Sequence, residues 1–217
     1  MKRPVLIFTV WLGLGVVLAL LSGTARGAEE LKLIEAKFIM RGYCYAGSKM
    51  DTKAPGGFGP SDNMPKKLET AKFKAEEGKL SLIALTAETV PFVKDYRGFR
   101  LVLMNRTKAE MTFDASDSRL SIIQEAQDAQ GKWQPIEYLP MSWCGNSRHR
   151  VFLPKGEYWE FVAPVHSGPM KTKLRFMLKQ DQTTTIYSNE FEGSIDPQQF
   201  TTKQGHTPKG IMDPYFE

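Results

Sequence analysis

Cysteine and histidine are scarce in this chain, with 2 Cys and 3 His among 217 residues. The histidines, His149, His166 and His206, form no HxxxH or HxH pair, so nothing seeds a zinc site of three or four ligands. No CxxC spacing marks a redox or metal pair. No GxSxG marks a serine nucleophile on a strand-turn-helix elbow, and no DxDxDG run marks a dedicated calcium loop. Internal repeats and low-complexity tracts are also missing. With 41% hydrophobic and 24% charged residues, the composition excludes collagen-like, coiled-coil and wholly disordered chains. The length suits one domain, or two small ones.

The first 28 residues differ from everything after them. Lys2 and Arg3 precede an apolar run, 5–21, broken only by Thr9, Gly13 and Gly15, and mostly small residues follow it from Ser22 to Ala28. A short positive region, an apolar core and a small-residue exit make a secretory signal. Residues 1–27 therefore read as a signal peptide cleaved near Gly27, with export to the periplasm or the extracellular space. The alternative is a retained membrane anchor, against which the 17-residue run falls short of the about 20 residues of a comfortable span. A membrane enters the reading only through that uncleaved segment. Loss of Lys2, Arg3 and Arg26 leaves 26 basic residues against 24 acidic ones, a net charge of +2. The remaining Lys and Arg are scattered among acids, whereas nucleic-acid binding needs clustered positive charge. No nucleic acid partner is expected.

In an exported chain, Cys44 and Cys144 are expected to pair as a disulfide. Closing a loop of about 100 residues would stabilise the fold by roughly 4–5 kcal/mol in the chain-entropy model. The competing reading makes Cys144 a nucleophile with His149 as base and Asn146 as orienter.

Hydrophobic periodicity of two dominates beyond residue 68. In 171–179, Leu174, Phe176 and Leu178 point one way while Lys173, Arg175 and Lys179 point the other. Phe99, Leu101 and Leu103 alternate with Arg100, Val102 and Met104, the pattern of a strand covered on both sides. Further strands are expected over 79–86, 119–125, 132–138, 148–153, 157–163 and 184–194, with turns at 105–108, 128–131 and 154–156. Helix signals are thin: 69–77 has some helical composition, and Asp196-Pro197 opens one capped turn. These features predict an all-β chain, an immunoglobulin-like antiparallel β-sandwich over 68–200. Before it come an N-terminal strand and a long Gly/Pro-rich loop within 28–67, and after it an irregular tail, 201–217, apolar enough to dock. The segment 46–67 reads as a mobile solvent loop, with Phe58 its one apolar residue able to dock.

Candidate functional residues are few. His149 falls in phase with Val151 and Leu153, as a structural histidine would, and His166 sits in a turn between Pro164 and Pro169. Met170 nearby is a soft copper ligand in principle, yet the methionines fall mostly at core-like positions. Asp114, Ser116, Asp117 and Ser118 are oxygen-rich but read as a solvated turn. Glu125, Glu137, Glu157 and Glu160 lie on or beside strands, with nothing to single out a catalytic pair and with exposed strand faces as their ordinary place. No metal and no cofactor are expected. The aromatic stretch of Trp133, Tyr138, Trp143, Tyr158 and Trp159 is the most distinctive feature; Trp159 shares a core face with Phe161, and Trp133 is the best candidate for exposure. Trp133-x-Pro135-Ile136-Glu137-Tyr138, followed by Trp143-Cys144-Gly145-Asn146-Ser147, resembles secreted proteins of environmental bacteria to which no activity is attached. That resemblance covers the C-terminal half and implies an exported sandwich without naming a substrate.

The chain thus reads as an exported, non-catalytic binding or structural module of the bacterial cell envelope. Its expected surface comprises Phe58, Trp133, Tyr138, Trp143, Asn146 and His149, facing an envelope protein or a glycan. The alternatives are a Cys144–His149 enzyme and a carbohydrate-binding module built on Trp133.

Overall fold

The computed structural model describes residues 30–54, 56–70, 76–140, 145–181 and 183–205. Residues 1–29, where a signal peptide is expected, lie outside the described residues, as do Trp143, Cys144, His206 and most of the tail. Fourteen strands follow in order: β1 (Met40–Arg41), β2 (Lys66–Lys67), β3 (Leu80–Phe92), β4 (Tyr96–Asn105), β5 (Met111–Ser116), β6 (Arg119–Leu120), β7 (Ile122–Gln127), β8 (Trp133–Pro135), β9 (Glu137–Tyr138), β10 (Arg148–Leu153), β11 (Glu157–Pro164), β12 (Met170–Lys179), β13 (Thr185–Tyr187) and β14 (Phe191–Ile195). Among the described residues there is no α-helix, only three 3-10 turns. The chain is all-β, with several antiparallel sheets.

One layer has the order β2-β11-β4-β3. In it Leu101 faces Phe161 and Leu103 faces Trp159 across antiparallel strands. These four point inward, while Val102, Met104 and Tyr158 on the opposite face are buried under Leu68, Ile83 and Leu85. That double cover is what the alternation in 99–104 predicts. The second layer consists of two separate sheets, β10-β5-β6 and β13-β12-β7-β8, with β14 also paired to β12; the chain passes from one to the other between β6 and β7 through Ser121 alone. Leu174, Phe176 and Leu178 of β12 are all buried, and Lys173 and Lys179 lie outside, as the sequence pattern requires. The layers meet through Phe113 against Trp159, with ring centroids 5.6 Å apart, and Phe99 against Phe191 at 5.3 Å. Asn189 ties the layers by hydrogen bonds: its Oδ1 accepts from the Ala84 N–H at 2.8 Å and its Nδ2 donates to the Ala84 carbonyl at 3.1 Å.

β5 was missed by the sequence reading. Met111–Ser116 is a strand rather than part of a solvated oxygen-rich turn, and Phe113 and Ala115 are its buried face. The turn that follows is only Asp117-Ser118, at φ +49° and +63°. Left-handed values at both central residues mark the two-residue hairpin turn whose twist matches its flanking strands. The capped turn at the C-terminal end forms as expected, with Asp196 and Gln199 making a reciprocal capping box and Pro197 at its start.

Residues 31–46 cross the ends of both layers. Ile34 donates to Val165, Met40 to Ile136, Gly42 to Tyr138 and Ala46 to Ser118 through backbone N–H groups. Cys44 is buried with a free thiol and accepts at its carbonyl from Leu120 N–H. No disulfide forms among the described residues, and the expected partner, Cys144, is not one of them.

Candidate functional site

The Gly/Pro-rich segment is strapped to the second layer, contrary to the expectation of a mobile loop. Its base closes where Gly47 N–H donates to Asn63 O at 2.9 Å and Asn63 Nδ2 donates to Tyr45 O at 2.9 Å. Trp159 Nε1 in the core donates to Gly47 O at 2.9 Å, fixing the strap's first turn. Gly47 has no room for a side chain, because a Cβ there would stand 2.2 Å from Ser61 O.

Asp51 is the next anchor and is 4% exposed. Arg150 grips it with both arms, Nη2 to Oδ1 at 2.9 Å and Nε to Oδ2 at 3.0 Å, and the Arg150 backbone N–H adds a bond of 3.2 Å. The Arg150 guanidinium, helped by the Lys53 N–H, holds the Asp51 carboxyl well below the usual carboxylate range. Phe58 then lies flat on His149, centroids 3.7 Å apart and planes at 14°. Gly59 N–H donates to Asp117 Oδ1 at 2.9 Å, and Ser118 Oγ donates to Gly59 O at 2.8 Å. Gly57, at φ +86°, passes so close to Asn146 that a Cβ would sit 2.3 Å from its Nδ2.

Three residues expected at the functional surface, Phe58, Asn146 and His149, are therefore brought together at this corner. Trp133 and Tyr138 lie elsewhere, and Trp143 is outside the described residues. Trp133 sits on the outer face of β7 and β12, where the Arg175 guanidinium is 4.2 Å from its ring and 3.8 Å from that of Tyr187. Glu125 holds that guanidinium through a 2.8 Å bond to Arg175 Nε. One face of the indole is thus covered by a cation.

The corner places Ser118 beside His149, but the hydrogen bonds do not suit a nucleophile. His149 Nε2 accepts from the Ser118 backbone N–H at 2.9 Å, so the proton of the neutral ring resides on Nδ1. The Ser118 hydroxyl lies 3.4 Å from the same nitrogen and directs its one hydrogen to Gly59 O. Burial lowers the His149 pKa, against the pull of Asp117 and Asp51. His149 thus caps the hairpin turn and seats Phe58, the structural part its phase with Val151 implies. A recess of ≈ 230 Å³ opens between strap and sheet, lined in part by Met50, Phe58, Ser118 and His149. Tyr45, Met50 and Met64 project outward from the strapped stretch, 39%, 70% and 48% exposed. Among the described residues, no three His, Cys, Asp or Glu side chains gather as a metal set.

Glu137 and Glu125 overturn the expectation of exposed strand glutamates, at 1% and 7% exposure. Glu137 Oε2 accepts from the Gln124 backbone N–H at 2.9 Å, and burial pushes its carboxyl up to about 8. Sequence reasoning also passed over Gln124, whose phase with Ile122 and Ala126 on the buried face of β7 was the available signal.

No protein-family model, curated protein or solved structure matches this chain.

Proposed function

We propose that the protein is an exported, non-catalytic binding module of the bacterial cell envelope, an immunoglobulin-like sandwich that presents its strapped segment to another envelope protein. The observation that carries this reading is the corner itself. A segment rich in Gly and Pro is held at its base, at Asp51 and at Phe58, and its exposed side chains include two methionines beside a recess. Methionine adapts its shape to irregular apolar partners, and a strap fixed at several points loses little further entropy on binding. Antiparallel layers joined face to face support the sandwich, and the apolar run at 5–21 supports export. The Cys144–His149 enzyme gains no comparable support, since His149 Nε2 is already engaged by Ser118. The glycan platform gains none either, since Arg175 covers one face of Trp133.

The test is photo-crosslinking in the living source bacterium, with a benzophenone amino acid at position 50 or 64 and a control at Val93, which is 72% exposed. One envelope protein should crosslink from 50 and 64, not from 93, and the product should disappear in an Asp51→Ala background. The same pattern from all three positions, or no product from 50 and 64, overturns the proposal.

A further inference from the structure

A second cavity, of ≈ 230 Å³, lies between the two layers. Its mouth is made by an irregularity in β3. Leu85 faces Arg100 and Val90 faces Gly98, so residues 86–89 stand opposite Phe99 alone. The extra residues swing off the sheet edge, and all four are exposed. Phe99, Leu174 and Phe191 form apolar walls below them.

The inner end of this cavity is polar and unsatisfied. Gln124 is 0% exposed, and neither its Oε1 nor its Nε2 has a partner. His166 is 3% exposed, and its Nε2 is also without a partner. Both residues line the cavity. The proton on His166 can be placed. Gln199 Oε1 accepts from Asp196 N–H in the capping box, so its other terminus is the amide nitrogen, 3.4 Å from His166 Nδ1. Nδ1 is then the acceptor and Nε2 carries the hydrogen. Burial lowers the His166 pKa to about 4, so the ring is neutral.

The inner wall therefore offers three N–H hydrogens, two on Gln124 Nε2 and one on His166 Nε2, and one carbonyl acceptor, and neither residue carries a fixed charge. Buried polar groups left open like this cost stability unless something meets them. We propose that the inter-layer cavity binds a small neutral molecule whose carboxamide group meets Gln124 and His166 while its apolar body lies against Phe99, Leu174 and Phe191. The charged lining residues, Glu88, Arg97 and Glu192, are all exposed, and Arg97 is bonded to Thr89 on the bulge at the mouth. A carboxylate carried to the inner end would leave that cation at the mouth and meet the lone pairs of Gln124 Oε1; an ammonium there would meet the His166 N–H. The volume, equal to about eight waters at ~30 Å³ each, limits the occupant to the size of a single ring or amino-acid amide.

Benzamide is the probe. In a titration followed by 1H–15N NMR, the Gln124 side-chain NH2 and the His166 Nε2–H should shift saturably, and benzoate and benzylammonium should bind at least about tenfold more weakly, the 1.4 kcal/mol of one mismatched polar contact. Gln124→Leu should abolish saturation. Thr86→Trp, on the exposed bulge at the mouth, should do the same without touching the core, which keeps the test decisive if the first variant does not fold. No saturable shift up to the solubility limit, benzoate binding as well as benzamide, or binding that survives both variants overturns the proposal; water alone would then satisfy Gln124 and His166.

Discussion

Replacing Glu137 by Gln should raise stability at alkaline pH and leave it nearly unchanged in mild acid. The carboxyl is 1% exposed, one oxygen accepts from Gln124 N–H, and burial moves its pKa from 4.5 to about 8. The folded protein therefore keeps a proton that the unfolded chain releases. Below pH 4.5 both states hold it, and the group adds no pH dependence. From 4.5 to 8 the folded state binds more protons than the unfolded, so stability falls by about 1.4 kcal/mol per pH unit. Above 8 the loss levels off. Evaluated at two pH values, the destabilisation is under about 1 kcal/mol at pH 5 and about 4 kcal/mol at pH 8. A glutamine retains the acceptor for Gln124 N–H and never ionises. The gain of Glu137→Gln over the parent at pH 8, less its gain at pH 5, should be about 3 kcal/mol. His166, whose depressed pKa gives a slope of opposite sign between about 4 and 6.5, is present in both proteins and cancels in this difference. Urea unfolding followed by tryptophan fluorescence measures it, since Trp159 is fully buried. With m near 2 kcal/mol/M, the midpoints should separate by about 1–2 M more at pH 8 than at pH 5. A separation that does not change with pH would falsify the claim that Glu137 is protonated in the folded protein.

Two further outcomes follow from the strap and the thiol. Asp51→Ala removes the carboxylate that grips Arg150 with two side-chain bonds, so trypsin cleavage after Lys53 should accelerate by about tenfold or more while far-UV circular dichroism stays the same; an unchanged rate would mean that Phe58 and Gly59 hold the strap without it. Cys44 should resist iodoacetamide at pH 8 in the folded protein, because burial and the nearby Glu137 carboxyl hold its thiol protonated, and should be alkylated once urea opens the core. Mass spectrometry reads the uptake. Alkylation of the folded protein would contradict the burial, and no uptake in urea without reductant would establish an oxidised Cys44.

Much of the fold was written in alternation, and where that failed the reason is specific. β12 and β4 could be read because each buried side chain has a clear neighbour of the opposite kind, or a full apolar run where both faces are covered. β5 was obscured because its outward residues, Thr112 and Asp114, and its terminal Ser116 belong equally to turns; Phe113 and Ala115 alone carried the strand signal. The strap shows a different limit. Pro and Gly forbid regular structure through 46–67, which is correct, but they do not say whether side chains anchor the path. Asp51 finds Arg150 ninety-nine residues later, and no local pattern encodes that distance. His149 was legible from its phase with Val151, whereas its pairing with Phe58 depends on where the strap comes down. The inner polar groups were the least legible. Ile136 and Glu137 are consecutive and both buried, which no simple period describes.

Those inner groups have a common cause in the crossing of residues 31–46. Ile34 bridges to His166, Met40 pairs with Glu137, and Gly42 N–H reaches Tyr138 O. Ile136 N–H in turn donates to Gln124 O, which places Gln124 one hydrogen bond beneath the crossing. An irregular segment with only Met40–Arg41 as a strand, bridged to β9 and next to the end of β11, covers residues that would otherwise be solvated, and the polar residues there become interior ones. The protonation of Glu137 is therefore linked to the docking of this segment: lifting it would rehydrate the carboxyl and return its pKa towards 4.5. By that linkage, alkaline solution favours the lifted form by up to the same few kcal/mol that the glutamine substitution is expected to restore. The crossing is thus sensitive to alkaline pH through Glu137, and its bridge from Ile34 to His166 places it next to one of the polar groups of the cavity between the layers.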